Sequence, residues 1–90
     1  MTSLPVVIKD IKFDEIQIGD MIEYTTDTPL VASGVFYPRS PRTFRLVVLS
    51  RENGVLRTLD YATNVFHYLG RYDIDTNKFP TLLLSRAEVM

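Results

Sequence analysis

The sequence predicts an all-β fold: a small single-domain barrel or sandwich of about five to six short strands. Three observations carry that expectation. Strand-forming residues recur in short runs, five prolines and four glycines punctuate those runs, and no ten-residue stretch holds a convincing helical period. The apolar fraction of 46% beside 23% charged residues places the chain among globular rather than disordered sequences. Ninety residues make one domain, 1–90, since a chain of this size buries only about 60 to 65% of its unfolded surface and has no room for a second core.

Taken in order, Pro5 to Lys9 is a short apolar run suited to an opening strand. Ile16 and Ile18 alternate before the turn signal Gly19-Asp20, and Met21 to Thr26 follows as a strand rich in β-formers, ended by Thr28-Pro29. Val31 to Tyr37 reads as a further strand whose Gly34 marks a bulge or tight bend. Thr43 to Ser50 is the most apolar run; its Leu46-Val47-Val48-Leu49 stretch lacks alternation, which predicts burial on both faces and a central position. Asn53-Gly54 predicts a tight type I′ hairpin, because both residues tolerate the positive φ that this turn requires. With those two as the loop, Glu52 pairs with Val55, Ser50 with Arg57, Val48 with Leu59 and Leu46 with Tyr61, placing Leu46, Val48, Leu59 and Tyr61 on one face. Asn64 to Tyr72 fits a strand better than a helical turn closing at Gly70, and Thr81 to Ala87 reads as a final strand, with a short helix as the alternative.

The Ile18-Gly19-Asp20 opening, a glycine-bearing second strand and then a tight hairpin resemble the connectivity of SH3-like barrels over residues 16 to 60. That likeness implies an SH3-like barrel. Arg42 to Ser50 after Ile18-Gly19-Asp20 also resembles ribonuclease toxins of the MazF/PemK type, which carry Gly-Asp before the first strand and Arg-Pro before an apolar strand. Here Thr43, not proline, follows Arg42.

Several chemistries lack their residues. With no cysteine there is no disulfide, thiolate metal site or cysteine nucleophile. Gly19, Gly34, Gly54 and Gly70 never cluster into a phosphate-cradling loop. Asp73-Ile74-Asp75-Thr76-Asn77 has the spacing of the first ligands of an EF-hand, but Lys78 and Leu84 stand where the glycine and the bidentate glutamate belong, so it reads as a turn. The single histidine, His67, lies between Phe66 and Tyr68 and reads as a half-buried structural side chain. No catalytic residue, metal or cofactor is expected. No run approaches the ~18 apolar residues of a membrane span and the first residues lack a signal-peptide pattern, so an intracellular, soluble, cytoplasmic protein is expected.

The charges are uneven although the net charge is −1. Residues 1–30 hold six acids against Lys9 and Lys12, a balance of −4, whereas residues 31–71 hold six arginines against Glu52 and Asp60, a balance of +4. Either these segments pair within the fold, or they form a bipolar surface that steers an acidic partner. The arginines concentrate in Phe36 to Arg45, where prolines stiffen a loop bearing Tyr37, Arg39, Arg42 and Arg45. Arginine's planar fork binds carboxylate or phosphate bidentately and stacks on aromatic rings. With Arg57, these residues are the expected partner-binding set. They suit a non-catalytic binding or assembly module, of the kind that small viral or accessory proteins provide, docking on an acidic protein or on a second copy. The alternative is a single-stranded or structured RNA, with Tyr37 or Tyr61 stacking on bases.

Overall fold

The computed structural model describes residues 3–27 and 41–87. The strand expected at Val31 to Tyr37, with Gly34, lies outside them. Six strands form: Ser3–Ile8 (β1), Met21–Thr26 (β2), Arg42–Glu52 (β3), Val55–Asp60 (β4), Val65–Gly70 (β5) and Leu82–Ala87 (β6). They make one antiparallel sheet in the order β1-β6-β2-β3-β4-β5. Thus the fold is all-β in its framework, and among the described residues the sheet is open, with β1 and β5 at its two ends. A 3-10 turn at Phe13–Glu15 and the short helix Arg71–Asp75 (α1) are the other regular elements among the described residues.

Burial alternates along β2, with Ile22, Tyr24 and Thr26 inside, as one covered face requires. Leu46 and Val48 of β3, Leu56 of β4, Leu69 of β5 and Leu83 of β6 join them. The lid of this core comes from Ile11, Phe13 and Ile16 before β2 and from Ile74 of α1. Phe13 is held firmly. Its N–H donates to Asp75 Oδ1 at 2.8 Å, and the guanidiniums of Arg51 and Arg71 lie 4.5 and 5.0 Å from its ring centroid. Arg51 also donates to the carbonyls of Phe13 and Ile16 at 2.8 and 2.6 Å, so β3 fastens the lid segment by both ends.

The hairpin corrects the expected register. Asn53 (φ 52°) and Gly54 (φ 73°) take the left-handed turn, and Glu52–Val55 and Ser50–Arg57 pair as expected. Beyond Ser50 the ladder shifts by one residue, so that Val48 meets Thr58, Val47 meets Leu59 and Leu46 meets Asp60. Leu49 is the extra residue of this bulge. It absorbs the slip that would otherwise have turned Leu46 and Val48 away from the lid. Leu59 therefore joins the opposite face, and Tyr61 is 56% exposed rather than packed with Leu46.

Contrary to the expectation, Leu46 to Leu49 is not buried on both faces. β3 is interior to the sheet, yet Val47 is half-buried and Leu49 exposed, because the lid covers only one side. The last two strands follow the expectation, while α1 follows β5 directly, with Asp73 Oδ2 accepting the Gly70 N–H at 2.8 Å. Among the described residues no helix is long and apolar enough to cross a membrane.

Candidate functional site

Most acids of the first third that the structure describes are paired within the fold. Asp14 meets Arg71 at 2.7 Å, Asp20 meets Arg86 at 2.9 Å, Glu23 meets Arg45 at 3.6 Å and Asp27 meets Lys78 at 2.5 Å. Four acids of the first third thus sit beside cations from later in the chain. The Arg71 hydrogen bond holds the Asp14 carboxyl below its usual range, and Asp14 in turn raises the Arg71 guanidinium. The acid-rich first third is therefore largely engaged. The arginines of residues 41–71 differ in the face of the sheet they take.

Strand alternation decides which face each one takes. Arg42 is opposite Thr26 on the lid side of β3 and is half-buried there. Arg45 and Arg57 occupy the outer face. The two expected residues Tyr37 and Arg39 lie outside the described residues. Arg45 pairs across β2 with Glu23 but keeps 71% of its side chain exposed, and the neighbouring Thr25 and Thr43 hydroxyls share a 2.9 Å hydrogen bond. Arg57 lies opposite Tyr68 of β5, and its guanidinium reaches diagonally to 4.5 Å from the Phe66 ring centroid.

Between those two arginines runs an apolar row that no single stretch of sequence displays. Met21 is opposite Val47, Val47 opposite Leu59, and Leu59 opposite Phe66, so the row crosses four strands on the outer face. Phe66 is 44% and Tyr68 63% exposed, and the three inner members are half-buried by their neighbours alone. At the Arg45 end, a hollow of about 450 Å³ is lined by Glu23, Phe44, Arg45 and Tyr61. The face is thus apolar at its centre and flanked by guanidiniums.

Phe66 and Tyr68 were absent from the expected set, although their i, i+2 spacing in Val65–Gly70 is the signal that finds them. Leu59 and Val47 carried no such signal, since only the bulge brings them together. His67, on the other side of the same strand, is half-buried with its ring 5.0 Å from that of Phe44, in the structural role its neighbours suggest. Asp73 and Asp75 are likewise occupied locally, accepting the N–H groups of Gly70 and Phe13. On the lid side, burial and then Asp73 raise the Tyr24 phenol, which donates to the Asp73 carbonyl at 3.2 Å. Comparison with protein-family models, with curated proteins and with solved structures gives no match to this chain.

Proposed function

We propose that the protein is a non-catalytic protein-binding or assembly module that docks an acidic partner on the outer face of β3, β4 and β5. The observation that carries this reading is the cross-strand row Met21-Val47-Leu59-Phe66 with Arg45 and Arg57 beside it. An apolar centre gains by being desolvated against another protein, and the flanking guanidiniums select carboxylates and set orientation. Tyr37 and Arg39, which precede β3 in the sequence, complete the proposed docking set, whereas Arg42, on the lid side of β3, does not belong to this face. The β2-β3-β4-β5 meander, entered through the Gly19-Asp20 turn, supports an SH3-like arrangement of the sheet.

RNA is the weaker reading for this face. A strand-tracking groove needs several cations along the phosphates, and of the two arginines here Arg45 is shared with Glu23. The exposed rings of Tyr61, Phe66 and Tyr68 are what RNA would use, by base stacking.

Fluorescence anisotropy with a labelled glutamate- and leucine-containing peptide, and separately with a labelled single-stranded RNA oligonucleotide, decides between them at low and moderate salt. The expected result is peptide binding that the R45A/R57A variant weakens about tenfold. Both side chains are exposed, so folding should change by no more than about 0.5 kcal/mol per substitution. RNA binding with a steep salt dependence and no peptide binding would overturn the proposal, and cleavage of the oligonucleotide would support the toxin-like resemblance instead.

A further inference from the structure

The two edges of the open sheet are built differently. β1 contains Pro5, has a register shift between Pro5 and Ile8, and runs into Lys9 and Asp10. Proline, irregularity and adjacent charge are the devices that stop one sheet edge from pairing with another. β5 has none of them. Val65–Gly70 contains no Pro, Asp, Glu, Lys or Arg and pairs with β4 through six uninterrupted positions.

Its apolar side chains are also exposed on both faces of the sheet. Phe66 and Tyr68 stand on the outer face, and Val65, opposite the buried Asp60 on the lid side, is still 43% exposed. Among the described residues the core is therefore unfinished along this edge, on two sides at once. A further strand would cover both sides, whereas a helix or loop laid on one face would not.

Backbone phase shows which groups are offered. Glu52 and Val55 close the two-residue turn as a hydrogen-bonded pair, so Leu56, Thr58 and Asp60 turn their N–H and C=O toward β5. The 2.8 Å bond from the Asn64 N–H to the Asp60 carbonyl agrees with that phase. Phe66 and Tyr68 consequently direct their amide N–H and C=O to the open edge.

We propose that this edge pairs with β5 of a second copy, antiparallel about a two-fold axis at His67, so that one sheet runs through both molecules. In that register Phe66 of each copy lies opposite Tyr68 of the other, so each apolar row of the outer face ends on the other copy's Tyr68. Because the strand carries no Asp, Glu, Lys or Arg, two copies meet without like charges in contact. A peptide strand of another sequence gains the same backbone bonds but not this doubled aromatic match. The inference rests on the reading of the chain as an assembly module, and not on the choice of an acidic partner.

An edge of six residues buries less than the ~1,200 Å² of a stable interface, so the association should depend on concentration. Sedimentation velocity of the full chain from about 1 µM to about 1 mM spans the range where such contacts form. The expected result is a passage from monomer to dimer, with Phe66 and Tyr68 amides protected from hydrogen exchange at high concentration and released on dilution. Amides of Val65, His67 and Leu69 should stay slow throughout, being bonded to β4. F66K/Y68K should abolish the dimer, while F66K/Y68E, whose introduced charges meet with opposite sign across the axis, should retain it. A monomer at every concentration with both edge amides fast, or a dimer indifferent to F66K/Y68K, would overturn the proposal. Peptide binding is read separately through R45A/R57A, so a monomer that binds peptide removes the dimer alone, and a dimer that does not removes the acidic-partner reading alone.

Discussion

Removing Arg86 should be among the most damaging single changes outside the apolar core. Asp20 is fully buried, and Arg86 grips it with Nε to Oδ1 at 2.9 Å and Nη2 to Oδ2 at 3.0 Å, while Nη2 also reaches the Glu15 carbonyl at 3.0 Å. The position is structurally central. Gly19, at φ 93°, lets its N–H bond the Val48 carbonyl at 2.8 Å, and the Asp20 carbonyl accepts the Val48 N–H at 2.9 Å. Asp20 thus joins the start of β2 to β3, and Arg86 ties β6 to both.

In the R86M variant the Asp20 carboxylate keeps only the Gln17 N–H, at 2.8 Å, as partner. Breaking a buried ion pair from one side costs about 3–5 kcal/mol. Arg86 retains 28% of its side-chain exposure, so water can replace part of what is lost and the lower end, about 3 kcal/mol, is expected. For a domain of this size that lowers Tm by roughly 12–24 °C, against a total stability of about 5–15 kcal/mol. Urea unfolding followed by circular dichroism, on R86M, D20N and D20N/R86M, isolates the pair as a double-mutant cycle with an expected coupling of about 1.5 kcal/mol or more. An R86M cost below about 1 kcal/mol, or no coupling, would mean instead that Asp20 is hydrated once its partner leaves and that the pair does not hold the fold.

Gly54→Ala places a Cβ with no heavy atom within 4 Å, so only the backbone at φ +73° resists it; the expected loss is about 1–2 kcal/mol in urea unfolding, and a much larger one would mean the turn is packed against something else. Arg51→Met strands the Phe13 and Ile16 carbonyls beneath the lid and should cost about 2–3 kcal/mol, with faster hydrogen exchange in residues 11–16 as its specific signature. The raised Tyr24 phenol stabilises the fold fully below its usual value near 10 and loses that contribution as pH climbs through the folded-state value. Tyr24→Phe should cost about 0.5–1.5 kcal/mol at neutral pH through the lost bond to the Asp73 carbonyl, and should flatten the alkaline fall in stability seen by urea titration. An equally steep fall in both proteins would assign it to other groups.

Strand chemistry was legible residue by residue. The run Met21 to Thr26, the Asn53-Gly54 turn and the strands near 65–70 and 82–87 follow from β-propensity, punctuation and the steric demand for positive φ, all of which act within a few residues. Candidate residues chosen by composition fared differently, because composition does not say which face a side chain takes. Arg45 and Arg57 share the outer face, whereas Arg42, three positions from Arg45 on one strand, is turned toward the lid. Phe66 and Tyr68 could have been found by their i, i+2 spacing, but not the row that links Phe66 to Leu59, Val47 and Met21.

An all-β framework, a tight hairpin and the absence of cysteine chemistry are legible in the amino-acid order alone, since these rest on local sterics and on composition. Long-range contacts set the one-residue bulge at Leu49, the pairing of the acid-rich first third with distant cations and, among the described residues, an open sheet that ends in β1 and β5. The physical reason is register. Two faces of a strand are chemically separate surfaces, and a shift of one position, fixed only by what packs on the far side, exchanges them.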